Sequence, residues 1–126
     1  MNVSDEIITL EYNTNIINII LNETSEIVGY ISFNYIDTKY LGDFGCHIYD
    51  KYRNKHYATH AMLLLKKLLK NIKKEILLSI SYDNIISDKI ISKLDAELIF
   101  EGIVPEEYSK NYSEELKHVK VYKLKI

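Results

Sequence analysis

The stretch Y-R-N-K-H-Y-A-T-H-A, Tyr52 to Ala61, sets Arg53 and Lys55 just ahead of a change from alternating to helical periodicity. A helix that opens directly after a strand presents unpaired backbone N–H groups and a partial positive charge. An anion can sit there, a phosphate or pyrophosphate above all. Arg53 and Lys55 add mobile positive charge, and an arginine can fork onto phosphate oxygens. The plainer reading is a basic strand–helix junction with no ligand. The small residues expected of a phosphate turn are missing, and His56 stands where a glycine would be unsurprising.

Such a turn needs a strand before it and a helix after it. F-G-C-H-I-Y at 44–49 reads as the strand. From about Tyr57, Ala58, Met62, Leu65, Leu68, Leu69 and Ile72 recur at threes and fours, which predicts a helix to about Lys73. Lys66, Lys67, Lys70, Lys73 and Lys74 take its other face, a solvated surface whose last turn suits the negative end of the helix dipole.

Upstream, I-I-N-I-I-L (16–21) and I-V-G-Y-I-S-F-N-Y-I (27–36) flank N-E-T-S-E and predict a hairpin, with D-T-K-Y-L-G-D as the turn into 44–49. Residues 6–12 form either a first strand or an irregular lead-in. Downstream, E-I-L-L-S-I-S-Y (75–82) is a strand, and Asp83 or Asn84 can cap a second helix to about Leu94. Ala96 to Ile103 and Val119 to Ile126 alternate as strands around a polar loop that holds the only proline, Pro105. A strand–helix–strand unit among antiparallel neighbours predicts a mixed α+β fold, with one domain over 1–126.

With 126 residues and 47% hydrophobic composition, one compact core is expected. The formal charge of −2 provides no global basic field, so nucleic acid is not the expected partner. Cys46 is the only cysteine, which excludes an intrachain disulfide and a cysteine metal site, and no His/Asp/Glu spacing points to a metal. No apolar run reaches membrane-spanning length and the N-terminus lacks a signal-peptide layout, so the expected location is cytoplasmic. Ile, Lys, Asn and Tyr are abundant, all residues with AT-rich codons.

The passage G-C-H-I-Y-D-K-Y-R-N-K-H-Y-A-T-H-A resembles the acetyl-CoA-binding segment of the GNAT superfamily of N-acetyltransferases. There a strand precedes Arg/Gln-x-x-Gly-x-Gly/Ala, whose backbone amides hold the CoA pyrophosphate. Y-D-N-I-I-S-D-K-I-I-S-K-L-D-A is similar to the family's later Asn-x-x-Ser helix through Asn84, Ser87, Lys93 and Ala96. The two motifs stand one helix and one strand apart, as in the family, and the V-P-E-E-Y tail looks like that of a branch of small bacterial members.

The resemblance implies a GNAT-like, mainly antiparallel sheet, N-terminally shortened, with acetyl-CoA as co-substrate. It places the pyrophosphate on Arg53, Asn54, Lys55, His56, Tyr57 and Ala58, with Thr59 following and Asn84 and Ser87 contributing from the later motif. The pantetheine arm would pair with Ile48 and Tyr49 like an added strand, and an amide near Tyr49 would polarise the thioester carbonyl. An amine of a small molecule or peptide would attack directly, without a covalent enzyme intermediate.

Several positions depart from the family pattern. His56 replaces the cradle glycine and Asn54 a small residue; both keep their amides, but a positive φ there is disfavoured. Asp95 replaces a helix-ending glycine at a site expected to be left-handed. Ile91 stands where many members carry a proton-donating tyrosine, leaving Tyr82, Tyr108 or Tyr112 as substitutes.

His47 is the candidate general base; Glu11 and a water chain are the alternatives, and a structural strand histidine is the plainer reading. His60 reads as packing or solvent-facing, and Cys46 as an inert thiol in an apolar run. Glu106, Glu107, Glu114 and Glu115 are a solvated loop or an attractor for a cationic acceptor. A catalytically inactive CoA-binding or interaction module is the second reading. Pairing of terminal edge strands would give a homodimer.

Overall fold

The computed structural model describes residues 2–14, 16–33, 44–81, 88–109 and 118–126. The chain runs β1 (Asn2–Ser4), β2 (Ile8–Asn13), β3 (Ile16–Leu21), β4 (Ile27–Phe33) and β5 (Phe44–Ile48), then α1 (Tyr57–Leu69) and β6 (Glu75–Ser81). It ends with α2 (Asp88–Lys93), β7 (Ala96–Ile103), α3 (Glu106–Ser109) and β8 (His118–Lys125). The described strands form one sheet in the order β1-β2-β3-β4-β5-β6-β8-β7. Only β5 and β6 pair in parallel; the other ladders are antiparallel. The α+β expectation holds, with the strand–helix–strand unit β5-α1-β6 at its centre.

Register assigns each strand residue to a face. Tyr12 faces Ile17, Ile31 faces Cys46, Cys46 faces Ile80 and Leu78 faces Tyr122. These residues share the face covered by α1 and α2, where Ile8, Leu10, Ile19, Leu65, Leu78 and Leu94 are fully or almost fully buried. Helix α1 adds Ala58, Ala61, Met62, Leu64 and Leu69 to that core. Burying a leucine contributes about 1.5–3 kcal/mol, so the threes-and-fours pattern is enough to seat the helix. The other face carries Asn18, Tyr30, His47 and Ser79, with a smaller apolar cluster of Val104, Val119 and Val121.

Several boundaries differ from those expected. Of the two alternatives for residues 6–12 the strand is the one found, as β2, with Asn13 paired to Ile16, and the short strand β1 precedes it unannounced. Helix α1 stops at Leu69, not near Lys73: the N–H of Ile72 turns back to the Leu69 carbonyl, and Ile72 is exposed. The polar loop after β7 contains the single turn of α3. Strand β8 begins one residue earlier than its alternation indicates, at His118. The expected turn at 37–43 and the start of the second helix at 83–84 lie outside the described residues.

Candidate active site

Strand β5 ends between two partners that do not match it equally. Among the described residues, the β5–β6 ladder pairs Phe44 with Leu78, Gly45 with Ser79 and Cys46 with Ile80 and goes no further, although β5 continues to Ile48 and β6 to Ser81. On its other side β5 stays paired with β4 through Gly29↔Ile48. The N–H of Tyr49 donates to the Val28 carbonyl at 2.9 Å, so the backbone groups of Tyr49 face β4. Because such groups alternate along an antiparallel strand, the N–H of Ile48 faces β6, beyond the last paired residue. Among the described residues, the amide that faces this side is therefore that of Ile48, next to Tyr49, while the Tyr49 amide itself is taken by Val28.

After Ile48 the chain makes a 3-10 turn, Asp50–Tyr52, and reaches Arg53 in extended conformation. Arg53 is not a mobile cation: its Nε donates to the Ile48 carbonyl at 2.8 Å and its Nη1 lies 3.0 Å from Asp50 Oδ1. With its side chain only 11% exposed, Arg53 ties the turn back onto the end of β5. Lys55 is exposed.

Asn54 and His56 both occupy the left-handed region, at φ +65° and +64°. The glycine-like backbone of the turn is thus kept without glycine, at a cost of about 1 kcal/mol for each such residue. His56 caps α1 without a side-chain hydrogen bond, so no side chain at the cap competes for the amides of Tyr57, Ala58 and Thr59. Thr59 is buried, and its Oγ1 has no hydrogen-bond partner among the described residues. Ile48, Tyr52, Arg53, Asn54, His56, Tyr57 and Ala58 line a concavity of about 20 Å³. That is room for about one water, so a pyrophosphate would lie on this turn rather than inside it.

His47 points to the face opposite α1, and its ring packs against Tyr30 and Tyr49 with centroids 5.2 Å and 5.6 Å away. At 2% exposure it meets an acceptor only if a neighbouring ring moves aside. Tyr49 is 41% exposed at the edge of this cluster. Ile91, within α2, packs against the core, where it offers no proton. Burial pushes the Cys46 thiol up to about 12, which removes it as a nucleophile. Tyr82, Asn84 and Ser87 lie outside the described residues.

His60, expected as packing or solvent-facing, instead has its Nδ1 2.8 Å from Asp5 Oδ2. Asp5 gave no signal in the sequence, because only the tertiary fold brings the β1–β2 turn to α1. Asp95 does adopt the left-handed conformation expected of it, at φ +57°, just after α2. Lys66 Nζ closes the same helix end by donating to the Leu94 carbonyl at 3.1 Å.

A larger apolar cavity of about 240 Å³ lies at the far end of α1, among Tyr12, Ile17, Phe44, Leu65, Leu69 and Ile72. Tyr12 is the one titratable residue among these, and its hydroxyl donates to the Thr14 carbonyl at 3.1 Å. Size and chemistry therefore disagree, and the chemistry belongs to the smaller site at the end of β5. Among the described residues, no group of three or more His, Cys, Asp or Glu could hold a metal ion.

A parallel strand pair that opens beside an uncapped helix start defines the class, an acyltransferase of the GNAT fold. The family model for the acetyltransferase (GNAT) domain matches residues 4–97, and the chain belongs to that family. No curated protein matches the sequence.

Among solved structures, the chain is similar to the N-terminal domain of ribosomal-protein-alanine acetyltransferase from Clostridium acetobutylicum ATCC 824. The two are 11% identical, with a TM-score of 0.71 over 99% of this chain and 95% of that one. It is also similar to a protein from Vibrio cholerae described as a ribosomal-protein-serine acetyltransferase, at 14% identity and a TM-score of 0.61, over 100% and 98% of the chains. A GNAT-family acetyltransferase from Bacillus anthracis aligns at 20% identity and a TM-score of 0.52, over 88% of this chain and 66% of its own. At these identities the likeness is one of fold.

Proposed function

We propose that this acetyltransferase takes its acetyl group from acetyl-CoA and passes it to a primary amine of a small molecule or peptide by direct attack. The observation that carries this reading is that, among the described residues, the β5–β6 ladder goes no further than Cys46↔Ile80, so the Ile48 N–H has no described partner in it. The pantetheine arm would add along β5 there, and the Ile48 amide would donate to the thioester oxygen as negative charge develops on it. The pyrophosphate would rest on the amides from Asn54 to Thr59, with Lys55 beside it.

The amine lone pair attacks the thioester carbon, and the oxyanion collapses with loss of the CoA thiolate. The proton leaves the amine for a base, through His47 if Tyr30 or Tyr49 moves, or through water. A thiolate is a tolerable leaving group near neutral pH, so Ile91 in place of a tyrosine lowers the rate without blocking the reaction. The names of the Clostridium and Vibrio relatives favour a peptide amine over a small metabolite as acceptor.

Calorimetric titration with acetyl-CoA, followed by transfer assays on peptide N-termini and polyamines, tests the proposal. Binding with transfer to an amine is the expected result. No binding at millimolar acetyl-CoA would overturn it, and binding without transfer would leave a CoA-binding module.

A further inference from the structure

Among the described residues, two of the five non-glycine residues at positive φ, Asn54 and His56, lie within one three-residue turn. A strained turn keeps its shape only where its surroundings over-determine it. No side chain caps α1, so the restraint must come from elsewhere.

Beyond Arg53, which ties the turn to the end of β5, it comes from two turns on the β1–β4 side of the sheet. Asp5 Oδ1 accepts the N–H groups of Ile7 and Ile8, each at 2.8 Å, which leaves Oδ2 for His60. His60 lies in the first turn of α1, and its N–H donates to the His56 carbonyl at 3.2 Å. Asn22, in the β3–β4 turn, donates through Nδ2 to the Asp5 carbonyl at 2.8 Å and accepts the Thr9 hydroxyl at 2.6 Å. That same turn carries Glu26, whose carboxylate accepts the Tyr52 hydroxyl at 2.5 Å. Tyr52 precedes His56 by four residues and His60 follows it by four, so the strained turn is gripped on both flanks.

We propose that His60, through Asp5, and Glu26, through Tyr52, are positioning residues that hold the Asn54–Thr59 amides in a phosphate-receiving arrangement. None of these side chains needs to touch the ligand. Their effect is to fix the turn in advance, so that binding does not have to order it. The inference rests on reading residues 53–58 as a pyrophosphate turn.

The test compares CoA with pantetheine, which lacks the pyrophosphate, in the wild type, His60→Ala and Glu26→Ala. His60→Ala leaves the Asp5 turn bonded to Ile7 and Ile8, and alanine suits a helix. Glu26 is exposed, so its truncation leaves the core intact. Each variant should weaken CoA about fivefold to tenfold, as expected for a lost charge-assisted hydrogen bond. Pantetheine, followed by NMR titration, should change less than about twofold.

An unchanged CoA affinity, or equal weakening of both ligands, would overturn the positioning role and leave a purely structural clasp. A wild-type protein that binds CoA no tighter than pantetheine would overturn the pyrophosphate turn itself, and this inference with it.

Discussion

A β-carbon placed on Gly29 would stand 2.2 Å from the carbonyl oxygen of His47. Strands β4 and β5 approach this closely next to an irregularity, where Ile19 pairs with Gly29 but Ile20 pairs with Ile27. Gly29 faces Ile48, so the close approach sits directly behind the proposed thioester donor. Gly29→Ala should destabilise the protein by about 2–3 kcal/mol, since backbone rather than a side chain must yield. Chemical denaturation measures this, and a loss below about 0.5 kcal/mol would show that the strands separate easily.

His56→Gly should raise thermal stability, by about 0.5–1 kcal/mol at an unchanged backbone conformation. It should also tighten CoA, because the ring lines a concavity of only about 20 Å³. Weaker CoA binding in this variant would instead identify the imidazole as a phosphate ligand.

Burial pushes the Asp5 carboxyl up, but the amides of Ile8 and Ile7 and the bond to His60 outweigh it and leave the group below its usual value. A carboxyl with a lowered folded-state value stabilises above its unfolded value and loses that contribution as pH falls through the folded one. The stability difference between wild type and Asp5→Asn should therefore be full near about pH 6 and shrink below about pH 4. Urea titrations across that range provide the check. A difference that grows on acidification would contradict the assigned sign.

Cys46 should resist alkylation in the folded protein, because its thiol is fully buried and pushed up to about 12. Iodoacetamide labelling at mildly alkaline pH should be negligible until denaturant is added. Rapid labelling of native protein would mean that β5 opens to solvent.

Much of the fold could be read because it rests on periodicity. The stripe from Ala58 to Leu69 seats α1, and the β-branched runs at 16–21 and 27–33 pair as expected. Helix α1 ran short because Ile72 continues the apolar pattern while its N–H turns back to Leu69. Side-chain pattern could not show that the backbone had already left the helix. The turn at 53–58 was readable as a motif, but the inward lock of Arg53 on the Ile48 carbonyl was not.

The sequence by itself determined the order of the main elements from β3 to β8 apart from α3, the face that α1 buries, the inert Cys46 and the left-handed Asp95. Each follows from local propensity or from a pattern within one element. Only the tertiary structure decided which amide faces the β6 side, that His47 is enclosed by Tyr30 and Tyr49, and that Asp5 grips His60. Those facts depend on register and on contacts between residues as far apart as 5 and 60, and no single segment encodes them. The turn that carries the candidate chemistry is written in one short stretch, while its shape is held from the other half of the sheet.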